Sequence, residues 1–163
     1  MAKLIAEIGW NFIGDVSLAK KMIKAAKDSG ADYAKFQTWS TKFLKKGPWD
    51  KDGRMKLYKK SELSEKNHLT LIEHCKKMNI NFLTSVFNIN SLFMLKQFNL
   101  KIIKIASMEI VNKKLLKEAD KNYEKILIST GASNFNEVKN IFKHVDKKKC
   151  TLMHCVSSYP TPA

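Results

Sequence analysis

Arginine is almost missing from this 163-residue chain: of its 30 basic residues, only Arg54 is one. Readers of base edges and phosphate forks rely on arginine's planar, bidentate donors. A net charge of +15, from 30 Lys+Arg against 15 Asp+Glu, therefore does not by itself indicate nucleic acid. The lysines are scattered, not gathered into one stripe. Lys20-Lys21, Lys45-Lys46, Lys59-Lys60 and Lys147-Lys148-Lys149 read as solvated helix faces and loop tips. Glycine (6) and proline (3) are also scarce, and with 44% hydrophobic residues this excludes disordered and fibrous classes. No run approaches the about 18 apolar residues of a membrane helix. Glu7 interrupts the N-terminus before a signal-peptide core can form. The cysteines (Cys75, Cys150, Cys155) are odd in number and lack zinc-ligand spacing, which fits a reducing compartment. These absences predict a soluble cytoplasmic protein with no membrane and no specific nucleic-acid partner.

What is present is an alternation of strands and helices. Lys3 to Ile8 reads as a first strand, and Asp15 caps a helix with Leu18, Met22, Ile23 and Ala26 on one face, stopped by Gly30. Asp32 to Gln37 is a second strand. A polar, aromatic-containing connection from Thr38 to Glu62 follows, long enough to suggest function. Ser64 opens a helix with His68, Leu71, Ile72, Cys75 and Met78 on its apolar side. Phe82 to Val86, Lys101 to Ser107, Lys125 to Thr130 and Thr151 to Cys155 are four further strands. Between them lie a short helix after Asn90, one after Asn112, and one opened by Asn134 and Glu137 as a capping box, with Phe135, Val138, Ile141, Phe142 and Val145 on one face.

Single helices between strands imply parallel pairing through right-handed crossovers. An open nucleotide-binding sheet would need a glycine-rich turn after the first strand. The turn here, Gly9-Trp10-Asn11-Phe12-Ile13-Gly14, has neither G-x-G-x-x-G nor a Walker lysine. Each strand instead carries polar side chains at its C-terminal end: Glu7; Lys35 and Gln37; Thr84 and Ser85; Lys104, Ser107 and Glu109; Ser129 and Thr130; His154. A barrel draws its active site from that rim. The fold expected is α/β, an incomplete (β/α)8 TIM barrel of about six strand–helix units spanning 1–163. Lys35 and Lys104 stand out because apolar neighbours flank them (Ala34 and Phe36; Ile103 and Ile105) in strands covered on both faces. A lysine buried there needs an anionic partner.

Five motifs in order carry a resemblance: Ala6-Glu7-Ile8-Gly9-x-Asn11-x-x-Gly14-Asp15; Gly30-Ala31-Asp32-x-x-Lys35-Phe36-Gln37; Lys104-Ile105-x-Ser107-x-Glu109; Ser129-Thr130-Gly131; and His154-Cys155-x-Ser157-x-Tyr159-Pro160-Thr161-Pro162. The series resembles the N-acetylneuraminate (sialic acid) synthase family, which includes legionaminic and pseudaminic acid synthases. The resemblance implies a (β/α)8 barrel that condenses phosphoenolpyruvate with an N-acetylated aminosugar such as N-acetylmannosamine. The product is a nine-carbon 2-keto acid, and phosphate is released with the help of Mn²⁺ or Mg²⁺. It also implies a homodimer in the full-length form, in which a small C-terminal antifreeze-like domain completes the partner subunit's site. The alternatives are another phosphoenolpyruvate–aldehyde condensing synthase and an inactive truncated remnant.

By the same resemblance, Lys35, Lys104 and Glu109 are the catalytic residues, the two lysines meeting the anionic groups of phosphoenolpyruvate together with Ser85, Ser107 and Ser129. Glu109 handles protons, although as a bare residue it also reads as a helix-entry charge near Asn112. Glu7 and Gln37 line the sugar end, and His154 is a metal ligand. Cys155 and Cys75 are assigned to the core, and His68, His74 and His144 receive no chemistry. Two features depart from the family's pattern: Phe12 stands where a histidine is usual, and Ala106 and Met108 where glycines are common. Six strands do not close an eight-stranded barrel, so the expectation is a fragment with little condensation activity of its own.

Overall fold

The structure, a computed structural model, describes residues 2–44, 46–48, 51–158 and 161–162. Of the features named above, Met1, Lys45, the Tyr159-Pro160 pair and Ala163 lie outside the described residues. The elements alternate as expected: β1 (Ile5–Gly9), α1 (Val16–Asp28), β2 (Tyr33–Thr38), α2 (Arg54–Ser61), α3 (Glu65–Lys77), β3 (Asn81–Val86), α4 (Ile89–Leu95), β4 (Ile102–Ile105), α5 (Lys113–Asn122), β5 (Lys125–Ser129), α6 (Phe135–Ile141) and β6 (Cys150–Met153). The six strands form one sheet in the order β1-β2-β3-β4-β5-β6, with parallel pairing. A barrel wall has that sequential order; a doubly wound sheet reverses direction. The contacts divide the chain into two compact units, Met1–Thr84 and Ser85–Ala163.

In the first unit, α1 begins where the Asp15 carboxylate accepts from the backbone N–H groups of Ser17 and Leu18, satisfying donors that the helix leaves open. Its buried face is Ala19, Ile23 and Ala26; Leu18, expected on that face, is exposed. Ser64 caps α3 as expected, accepting from Asn67 N, and His68, Leu71 and Cys75 turn inward. Leu71 and Cys75 pack with Ile8, Phe12, Ile23, Ala34 and Phe36, and each fully buried Ile, Leu or Phe contributes about 1.5–3 kcal/mol of transfer free energy. The long connection after β2 is not purely loop. It contains a 3-10 turn at Thr41–Phe43 and the helix α2.

In the second unit, Val86, Leu92, Leu95, Ile103, Ile105, Leu115, Leu116, Ile126 and Ile128 form the core. Asn112 caps α5, and the reciprocal bonds of Asn134 and Glu137 make the capping box that opens α6. The short helix α4 starts earlier than expected, because Asn88 supplies the cap. Phe135 was expected on the apolar face of α6. It is 81% exposed at the start of the helix, and the contacts with the core are made by Ile141 and the partly buried Val138. Three strands are shorter than the sequence suggested: Ser107 lies beyond β4, Thr130 beyond β5, and His154 and Cys155 beyond β6.

Candidate functional site

Parallel register decides the chemistry of the first unit. Glu7 on β1 is the direct Cα partner of Lys35 on β2. Their side chains therefore emerge together, and Lys35 Nζ lies 2.5 Å from Glu7 Oε2. The partners are unequal. The Lys35 side chain is 4% exposed, while that of Glu7 is 53% exposed. Burial pushes the Lys35 ammonium below its usual range, and the Glu7 charge and hydrogen bond offset only part of that. Register slips just past Glu7, so that Gly9 pairs with Phe36. Gly9 has a φ of +60°, and the place a Cβ would take is 3.3 Å from Glu7 Oε1 and 3.7 Å from Gln37 Nε2. Glycine there leaves open a gap bordered by the carboxylate and the amide. Glu7, Lys35 and Gln37 are thus brought together.

Two features here were not foreseen. Trp10, Tyr58 and Trp39 meet edge to face, with ring centroids 5.5 Å apart for Trp10 and Tyr58 and 5.7 Å for Trp39 and Tyr58. They fasten α2 to the residues that follow β1 and β2. Beneath the rim runs a buried polar chain. His68, fully buried, has Nδ1 2.9 Å from the Ser64 carbonyl and Nε2 2.8 Å from Thr38 Oγ1, which is 2.7 Å from Thr84 Oγ1. A carbonyl only accepts, so Nδ1 carries the proton, Nε2 accepts from the Thr38 hydroxyl, and Thr84 donates to Thr38. The only sequence signal was a histidine on an apolar helix face; its threonine partners come from distant strands.

His68 carries a stability prediction. Burial lowers its pKa from 6.5, outweighing the Ser64 bond that raises it. The unfolded chain then takes up a proton at a higher pH than the folded one does. Stability unaffected by His68 above its unfolded pKa is lost as pH falls through 6.5 toward the lower folded value. The expected result is a lower urea midpoint at about pH 5 than at about pH 7.5, with the Nδ1–H tautomer kept to below the unfolded value. A His68 ring seen by NMR to protonate at 6.5 or above would overturn this.

In the second unit, Ser85 on β3 is the register partner of Lys104 on β4. Ser85 and Ser129 are 2% and 4% exposed. Lys104 is half-buried, not sealed between apolar faces as expected. Ser107 and Glu109 share a 3-10 turn, Ser107–Glu109. The Glu109 carboxylate accepts from Asn112 Nδ2 at 2.9 Å, so it does also serve at the entry to α5. Cys155 is not core. It is half-buried, with Sγ 3.3 Å from the Met153 carbonyl. Burial alone would raise its thiol pKa. Hydrogen bonds from Ser129 and from the Thr130 and Gly131 backbone, with the Lys104 charge, hold it below the usual range. Ser157 Oγ donates to the Gly131 carbonyl at 2.6 Å. Cys75, fully buried, does lie in the core, and burial raises its thiol to about 12.

His154 is exposed. Among the described residues, no three His, Cys, Asp or Glu side chains gather as a metal ion requires. One imidazole does not make a divalent site. His154 supplies one of the donors a divalent ion would need, and no step below is routed through an ion.

Among the described residues, no helix is long and apolar enough to cross a membrane. Residues 22–163 match the NeuB family. The chain is 39% identical to the N,N'-diacetyllegionaminic acid synthase of Campylobacter jejuni, over 98% of this chain and 52% of that protein. It is 37% identical to the N-acetylneuraminate-9-phosphate synthase of Drosophila melanogaster, over 97% and 46%. Among solved structures, the N-acetylneuraminic acid synthetase of Leptospira borgpetersenii, in complex with citrate, superposes with a TM-score of 0.86 at 36% identity, over 98% of this chain and 55% of that one. The chain thus spans about half the length of the curated relatives it matches. With 98% of its own length aligned at 39% identity and its strands in barrel order, the chain belongs to the NeuB family.

Proposed function

We propose that this chain supplies one part of the active site of a synthase that joins phosphoenolpyruvate to an N-acetylated aminosugar aldehyde. The observation that carries the reading is the match along nearly the whole chain to synthases of sialic-acid type. The residue chemistry agrees with it. Phosphoenolpyruvate brings a phosphate and a carboxylate, and Lys35 and Lys104 are cations rooted inside strands, with the hydroxyls of Ser85, Ser107 and Ser129 as added donors. Its enol carbon attacks the aldehyde carbon, and the aldehyde oxygen takes up a proton. Water adds to the cationic carbon left behind, and the tetrahedral intermediate expels phosphate to leave the 2-keto acid. Glu109, half-buried in its turn, is the group proposed to accept the proton of that water. Glu7 and Gln37 are proposed to hold sugar hydroxyls.

His154 as a ligand of Mn²⁺ or Mg²⁺, a homodimer, and a cytoplasmic location remain expectations of the resemblance. In the completed enzyme, the test of the reaction is phosphate release from phosphoenolpyruvate against a panel of aldoses. Release that requires an N-acetylated aminosugar supports the reading, and a preference for unsubstituted four- or five-carbon aldoses overturns it. In that completed enzyme, Lys104→Ala is expected to lower kcat/KM about 10²-fold or more, as for loss of a charged donor at a developing anion. An unchanged value would remove Lys104 from the site.

A further inference from the structure

We propose that Glu7 is an internal stand-in for the substrate's anion: it occupies the Lys35 ammonium in the empty site and is displaced when the anionic substrate arrives. This rests on the reading of Lys35 as an anion-binding residue. Lys35 is 3% exposed, so its ammonium cannot be left to water and needs an anion in every state of the site. In the structure the Glu7 carboxylate meets that need at 2.5 Å. A phosphate or carboxylate arriving from solution seeks the same ammonium. Two anions crowded at one lysine repel each other, so one gives way.

Glu7 is the one able to leave. Its side chain is 53% exposed, so release returns it to water at little desolvation cost, whereas Lys35 has no such exit. Room for the movement is present at Gly9, where the missing Cβ leaves the Glu7 carboxylate and the Gln37 amide bordering the same gap. While Glu7 neutralises Lys35, its Oε2 is engaged and only Oε1 faces the gap beside Gln37. Once the anion has taken Lys35, Glu7 is released beside Gln37. Arrival of the anionic substrate thus prepares the wall proposed to receive the aminosugar.

The experiment titrates the chain with phosphoenolpyruvate and follows the Glu7 side-chain carboxyl carbon and the Lys35 ammonium by NMR. The expected result is that both signals move on one binding curve. Glu7→Gln, which removes the competing charge, is expected to tighten phosphoenolpyruvate about fivefold or more, because a tethered carboxylate competes at a high local concentration. Glu7→Asp, which keeps the charge but shortens its reach, is expected to tighten it less. Lys35→Met is expected to weaken binding at least tenfold. A Glu7 carboxyl that stays still while Lys35 responds, or a Glu7→Gln affinity within twofold of the parent, overturns the exchange while leaving Lys35 in the site. Phosphoenolpyruvate affinity unchanged in Lys35→Met overturns the anion-site reading and the exchange together. So does the absence of binding in both parent and Glu7→Gln.

Discussion

Gly14→Ala is expected to destabilise the chain by about 2–5 kcal/mol, a large fraction of the stability of a small domain. Gly14 has a φ of +76°, and a Cβ built on it would lie 2.1 Å from the carbonyl oxygen of Lys60, 3.0 Å from the carbonyl carbon and 3.1 Å from Lys60 Cγ. Two costs add. A side chain in the left-handed region costs about 1–2 kcal/mol. Relieving an overlap with backbone, which has no rotamer to change, costs about 1–3 kcal/mol more. Gly30→Ala separates the two. Its φ is +82°, but nothing lies within 4 Å of the added carbon. It should therefore show only the conformational part, about 1–2 kcal/mol. Urea denaturation of the two variants measures the difference. Equal losses would mean that the approach of Lys60 to Gly14 is not what matters. Because Lys60 lies in the last turn of the helix that carries Tyr58, the substitution should also disturb the contacts of Tyr58 with Trp10 and Trp39, and change tryptophan fluorescence before global unfolding.

The same contact explains why α2 was hard to see in the sequence. Arg54-Met-Lys-Leu-Tyr-Lys-Lys-Ser61 has no side-chain cap, since Gly53 precedes it, and its charged residues hide any apolar stripe. Helices of that kind form because tertiary contacts hold them. Here those are the close approach at Gly14 and the aromatic cluster with Trp10 and Trp39, all made by residues outside the helix and far from it in sequence. By contrast, α1, α3, α5 and α6 announce themselves through Asp15, Ser64, Asn112 and Asn134, since a cap is a local bond between near neighbours. The strands were legible as apolar runs. Their ends were not, because a run such as Lys125 to Thr130 does not say where pairing to the next strand stops.

The candidate site divides along the same line. Lys35 stood out because a lysine between Ala34 and Phe36 contradicts its surroundings, and the structure does bury it. That its anion is Glu7 follows from the register of β1 on β2, which no local pattern announces. Cys155 was misplaced for a related reason. Alternation along a strand would send it opposite to His154, but the strand ends at Met153, and alternation stops with it. Past that point, the thiol is placed by the Ser129–Gly131 turn.

Lys35→Met is expected to have opposite effects on stability and on binding. Removing one member of a buried ion pair is ordinarily severe, because the other is stranded away from water. Glu7 would not be stranded: its side chain is already 53% exposed, and it can recover its hydration. What disappears from the interior is the ammonium, whose pKa burial already holds down. Methionine keeps most of the volume of the lysine stem and needs no counter-charge. Folding stability should therefore be unchanged or rise by about 1 kcal/mol, as when buried ion pairs are replaced by apolar side chains. Phosphoenolpyruvate binding, if it uses this ammonium, should fall at least tenfold, or about 1.4 kcal/mol. Glu7→Gln probes the other side of the pair, leaving the lysine buried beside a neutral amide in place of the carboxylate. It should lose stability where Lys35→Met does not. That outcome would support the proposal that Lys35 serves an anion arriving from solution and not the fold. Should Lys35→Met lose as much stability as a core truncation, about 2–5 kcal/mol, the lysine would instead be part of what holds β1 to β2, and its claim on the substrate would rest on the family match alone.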